Sequence, residues 1–231
     1  MRCTRSRTCV GFFLLADLSF RLGDRCRYHA KAMSNHTRTA TGILGLASVA
    51  LFASAFFSIA ILNRNFDVAS DYISKLGSTG QPYAIYWNTI GFGLVGLALA
   101  AFGWCFGLCM NDRVLGACIL ASGLGFAMAA IPTDLSDATS ELSKAHYVSV
   151  CIALAFWCLG LARLSSSDFP DHFARDSANY TILLSLLPLL CIGGGISAEP
   201  IAHRIVLMVV FGWTILNSLR LLGSNVTSEL A

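Results

Sequence analysis

Nearly all the side chains that could do chemistry in this chain fall in three short polar stretches between long apolar runs. The first reads Asp71-Tyr72-Ile73-Ser74-Lys75-Leu76-Gly77-Ser78-Thr79-Gly80-Gln81-Pro82. The second starts at Pro132-Thr133-Asp134-Leu135-Ser136-Asp137 and continues through Glu141 and Lys144 to His146, and the third is Glu199-Pro200-Ile201-Ala202-His203-Arg204. Carboxylates, hydroxyls, imidazoles and a guanidinium gathered at one place could bind a polar head group, hold a cation or relay protons. Asp71, Ser74, Asp134, His146, Glu199 and Arg204 are the candidates for such a cluster. A zinc ion needs about three protein ligands and one open position, a set that His146, His203 and Asp134 could supply. No H-x-x-x-H or H-E-x-x-H pair exists, so those ligands would have to converge from separate loops.

The elements that must position these residues are set by composition. Of 231 residues, 55% are hydrophobic and 13% charged, and the mean hydropathy is +0.66. A soluble domain carries about 25% charged residues, so a soluble globular chain is excluded, and the abundance of Leu, Ile, Val and Phe excludes disorder. Nine cysteines without paired spacing do not form a secreted disulfide scaffold; most fall inside apolar runs, where they read as small buried hydrophobes. Six apolar runs of spanning length, 41–62, 87–109, 114–131, 146–164, 180–197 and 201–222, predict an all-α polytopic transmembrane bundle of six spans in a single domain. The runs are continuously apolar and lack the period of two that a β-barrel requires.

Six spans bring all three polar stretches out on one membrane face. Lys and Arg counts orient the bundle: Arg38, Arg113, Arg163, Arg175 and Arg220 lie on the N-terminal side against Arg64, Lys75, Lys144 and Arg204 on the other. That bias places both termini in the cytoplasm and the chain in the inner (plasma) membrane. Gly96, Ala100, Gly103 and Gly107 recur at helical spacing in the second span, and Gly116, Gly123, Ala127 and Ala130 do so in the third, so the two stripes are expected to meet. Gly91-Phe92-Gly93-Leu94-Val95-Gly96 satisfies G-x-G-x-x-G, but it lies within an apolar span and follows no strand, so it is not read as a nucleotide loop.

The formal charge of +3 belongs to one segment. Residues 1–32 hold seven basic residues (Arg2, Arg5, Arg7, Arg21, Arg25, Arg27 and Lys31) against Asp17 and Asp24. From Met33 onward the balance is slightly acidic, which leaves no nucleic-acid-binding surface. The apolar stretch 10–16 is too short to span a bilayer. The expectation is therefore that the protein starts at Met33 and that 1–32 is an untranslated upstream leader.

The motif Asp71 to Gly77 with Pro82 and Asn88, the Ile131-Pro132-Thr133-Asp134 turn ahead of His146, and the closing His203-Arg204-Ile205 with Trp213 resemble the bacterial and archaeal membrane proteins grouped as domain of unknown function 998. The resemblance covers essentially residues 33–222 and implies a multipass membrane protein with no known reaction. The Tyr72-Ile73-Ser74 loop with Gly77 and Pro82 is also similar, more faintly, to that of Frag1/DRAM-type membrane proteins. The expected function is that of a non-enzymatic, lipid-interacting or accessory bundle, with the bilayer as partner, no cofactor, and the polar cluster at the non-cytoplasmic mouth. Two alternatives stand beside it: a zinc-dependent hydrolase of a lipid ester or amide using His146, His203 and Asp134, and a proton-coupled carrier using Asp71, Asp134 and Glu199. Intact-mass measurement of the purified protein is expected to give a chain that starts at Met33, and a mass that includes residues 1–32 overturns that reading.

Overall fold

A computed structural model describes residues 35–137, 139–166, 172–193 and 199–229. The expected leader, 1–32, lies outside them, as does the end of the fifth apolar run. The described residues are mostly helical, with six long helices and no strand among them: α1 (Asn35–Leu62), α2 (Ala84–Cys109), α3 (Arg113–Met128), α4 (Glu141–Ser166), α5 (His172–Gly193) and α6 (Glu199–Glu229). Most of the helices start several residues before the apolar runs do. An apolar run marks the part that lipid can cover, whereas a helix continues into its polar flanks as long as its hydrogen bonds are made.

Each helix packs on its chain neighbours, and α1 also packs on α6, which closes the six into a ring. The outer surface carries large apolar side chains, among them Ile61 at 79% exposure and Leu190 at 72%. Such a surface is unstable in water and at home in lipid. Helices α1, α2, α4 and α6 are long and apolar enough to cross a membrane. At 16 residues α3 is shorter, and α5 contains Pro188. Inside the ring, some of the small polar groups turn back on their own helices: Ser48 Oγ donates to Gly45 O at 2.7 Å and Asn217 Nδ2 to Trp213 O at 3.0 Å. Helix carbonyls thus satisfy polar groups that lipid or core could not. Cys151 faces outward, so for that residue the reading as a buried hydrophobe does not hold.

The α2–α3 contact is made of backbone. A Cβ on Gly96 would overlap the Ala127 backbone, one on Gly123 that of Ala100, and one on Gly107 that of Gly116. A Cβ on Gly103 would strike Ile119. At the foot of this pair Asp112 caps α3, accepting from Val114 N at 2.9 Å and Leu115 N at 3.0 Å, and it takes Arg163 Nε from α4 at 2.8 Å. Two cores fill the ring. One, around Phe102, Phe106, Trp157 and Trp213, lies toward the Asp112 end; the other, around Phe52, Trp87, Phe92 and Phe211, lies beneath the loop end. Because close approach at Gly123 leaves no room for a side chain, Gly123→Leu is expected to destabilise the bundle by about 1–3 kcal/mol. Gly212→Ala, where open space surrounds the added carbon, should leave the melting temperature in detergent unchanged; equal melting of both variants would contradict this packing.

Candidate functional site

Direct contacts place the polar stretches at one end of the ring. Residues 63–83 cross that end as a chain of turns, with a 3-10 turn at Ile73–Gly77. Asn63 starts the crossing by donating to Gln81 Oε1 at 3.2 Å, which draws the two ends of the loop together. Asp67 and Asp71 then close a turn: Asp67 N donates to Asp71 Oδ2 at 2.8 Å, and Ser70 Oγ donates to Asp67 Oδ2 at 2.7 Å. Lys75 Nζ reaches the same Asp71 oxygen at 2.6 Å and Asn65 O at 3.0 Å, so a single ammonium ties both limbs of the turn.

The first residues of α6 hold this loop from the side. Arg204 donates through Nη1 to Ala69 O at 2.8 Å and through Nη2 to Asp71 O. A guanidinium fork suits two carbonyls that no helix or sheet has paired. Tyr72 donates its hydroxyl to Glu199 Oε2, and its ring lies 5.5 Å from that of His203. His203 Nδ1 pairs with the backbone oxygen of Glu199 at 2.9 Å, so the imidazole does not engage the Glu199 carboxylate.

Charge follows from these contacts. Partial burial would raise the Asp71 carboxyl, but Lys75 and the Asp67 N–H outweigh it and the net shift is downward. Asp67 is also lowered, chiefly by Ser70 and the Ala69 N–H. The Tyr72 phenol is pushed up to about 12 by burial, by its bond to Glu199 and by that carboxylate's charge, so it remains a donor throughout the physiological range.

Of the six candidate residues, Asp71, Glu199 and Arg204 take part in these contacts between the first loop and α6. Ser74 contributes its carbonyl, which accepts from Ser78 Oγ at 3.2 Å. Asp134 is turned into its own loop, accepting from Ser136 N at 2.9 Å and Ser136 Oγ at 2.6 Å, bonds that lower its carboxyl. The second loop meets the first elsewhere, through Ser78 Oγ to Thr133 Oγ1 at 2.6 Å and Thr79 N to Thr133 O at 2.8 Å. His146 sits within α4 instead of opening it, because Glu141 begins that helix. It is 4% exposed, its Nδ1 lies 3.0 Å from Ile131 O, and its ring packs on Phe92.

His146, His203 and Asp134 therefore have separate local partners, and no group of three or more His, Cys, Asp or Glu that could hold a metal ion gathers among the described residues. The four-residue step from Asp71 to Lys75 predicts their ion pair, which the structure contains, whereas Tyr72 and Ser78 as cross-loop partners were missed.

An apolar exterior, a ring of helices and a polar end closed by loops define a polytopic helical membrane protein. The match of a family profile over residues 46–224 then places the chain: it belongs to the family described as "Protein of unknown function (DUF998)". Neither a curated protein nor a solved structure matches it.

The pH dependence has a definite sign. Since the Asp71 carboxyl is depressed in the folded protein, its contribution is present above 3.8 and is lost as pH falls below that value toward the lower folded one. Asp71→Asn should melt below the wild type at pH 7, with the gap closing under more acidic conditions. A gap that stays constant with pH would show that the Asp71 charge does not hold the loop.

Proposed function

We propose that the chain is a six-span plasma-membrane protein with both termini cytoplasmic, acting as a lipid-interacting or accessory bundle without catalysis of its own, with its working surface at the non-cytoplasmic mouth. The observation that carries this reading is how the charged groups at that end are used. Arg204, Lys75, Asp71, Tyr72 and Glu199 spend their hydrogen bonds pinning residues 63–83 across the bundle. Such a pinned cap shields the core beneath it and offers its rim to the surrounding lipid.

The hydrolase and carrier readings have less support. A metal-dependent hydrolase needs its ligands convergent, and His146 and His203 each face a carbonyl of their own neighbourhood. A proton-coupled carrier usually keeps ionisable groups near the bilayer midplane. The buried polar groups here are small alcohols and amides apart from His146 and Asp112, which lie toward opposite ends. Asp71, Asp134 and Glu199 all sit at the loop end.

Cysteine labelling on intact cells tests the arrangement on which this function rests. Arg64→Cys and Lys144→Cys, both exposed positions, are expected to react with a membrane-impermeant maleimide, whereas exposed Arg113→Cys reacts only after the cells are opened. Labelling of Arg64→Cys and Lys144→Cys from opposite compartments would overturn the shared mouth.

A further inference from the structure

A groove of about 610 Å³ opens on the side of the bundle where α2 meets the two loops. Its volume lies within the ordinary range for a small-molecule site. Its upper part is polar, with Thr79 from the first loop and Asn88 and Thr89 from α2; its lower part is apolar, with Leu94, Leu97 and Ala130.

The groove owes its shape to a π-helical segment at Trp87–Leu94 within α2. Along the groove wall the α2 residues run Ala84, Asn88, Gly93, Leu97: steps of four, five and four. An unbroken α-helix would put Phe92, not Gly93, in line with Ala84 and Asn88. The extra residue of the wide turn sends Phe92 inward, where its ring lies 5.3 Å from Phe126 and 5.8 Å from His146, and brings a residue without a side chain to the wall. π turns of this kind occur frequently at functional sites. At Gly93 an added carbon would meet only Asn88 O, at 3.3 Å, so the space beside it is open.

Three features specify the occupant. Ile85 and Leu97, 72% and 53% exposed, stand on the lipid-facing exterior, so the groove is entered from the bilayer. The Thr79 and Thr89 hydroxyls are exposed and make no side-chain hydrogen bond among the described residues, leaving donors and acceptors free at the upper end. No charged residue lines the groove; Lys75 is committed to Asp71 and Arg204 to two carbonyls, and the exposed Arg64 is not among the lining residues. A neutral polar head therefore fits the upper end, and an alkyl chain fits the lower.

We propose that this groove holds one neutral glycerolipid, of diacylglycerol type, with its ester and hydroxyl region at Thr79 and Thr89, beside the Asn88 amide that is held by Gly77 O at 2.8 Å, and one acyl chain along Leu94 and Leu97. The inference deepens the lipid-interacting reading above and rests on it. The test uses the full chain in detergent with a diacylglycerol probe bearing a photoreactive group in the acyl chain, and cross-links are mapped by peptide mass spectrometry.

Labelling is expected to concentrate on residues 85–97 and to fall at least fivefold in Thr89→Trp, which fills the groove from an exposed position. Thr89→Val keeps the volume and removes the hydroxyl; it is expected to lower the preference for diacylglycerol over an anionic phosphatidylglycerol probe. Unchanged labelling of 85–97 in Thr89→Trp, or labelling spread evenly over all outward helix faces, overturns the groove while leaving a general lipid association standing. Preference of the wild type for the anionic probe at 85–97 overturns the neutral-head assignment. If native mass spectrometry finds that the purified chain retains no lipid at all, the broader reading fails with the groove.

Discussion

Close approach of two backbones governs the geometry of this bundle. In lipid, apolar burial cannot drive one helix onto another, because acyl chains solvate an apolar face as well as a neighbouring helix does. What remains is van der Waals contact over a long, smooth seam, and α2 and α3 provide one through Gly96, Gly107, Gly116 and Gly123. With that seam fixed, the short connection through Asp112 is held at its foot by the α3 cap and Arg163. The π turn then lies at the upper end of a helix that its lower half cannot allow to rotate. An extra residue there must change which side chains face inward, as Phe92 and Gly93 do.

The loop end solves a different problem. Residues 63–83 contain only single helical turns, so many of their carbonyls lack regular partners while lying over an aromatic core. Arg204 serves two of those carbonyls and Lys75 a third. Cations used as carbonyl donors explain why charged groups crowd this end. Asp71 is the counterion that makes the arrangement tolerable, since it meets Lys75 directly and lies next to the carbonyls that Arg204 holds.

The class of fold was plain in the sequence because a bilayer imposes a coarse requirement, runs of about 20 apolar residues, that composition reveals directly. The small-residue stripes were equally legible, since three- and four-residue steps map to one helix face whatever lies opposite. The π turn was not, because an extra residue in one helical turn leaves no trace in an apolar run that is hydrophobic on every side. His146 illustrates the same limit from another direction: as a lone polar residue after a loop it reads as a site, and only the fold places it under Phe92 with the Ile131 carbonyl. Asp71, Glu199 and Arg204 lie at one end; the pairing of Asp71 with Lys75 is legible in their four-residue spacing, but that of Tyr72 with Glu199 follows from the path of the loop, which no periodicity encodes.

The two halves of the bundle therefore carry different burdens. Toward the Asp112 end, Asp112 caps α3 and pairs with Arg163, and Phe102, Phe106, Trp157 and Trp213 pack into one buried cluster. Toward the loop end, the Phe52, Trp87 and Phe92 cluster is roofed by turns, and the helix beneath departs from α geometry. Irregular backbone at the edge of a membrane persists only where protein groups satisfy it or where it lines a cavity. Both conditions are met within residues 63–97: carbonyls bound by Arg204 and Lys75 on one side, and an open groove beside Asn88 and Gly93 on the other. The departure from regular structure and the space for a ligand are consequences of one another, and both are supported by a seam farther down that does not yield.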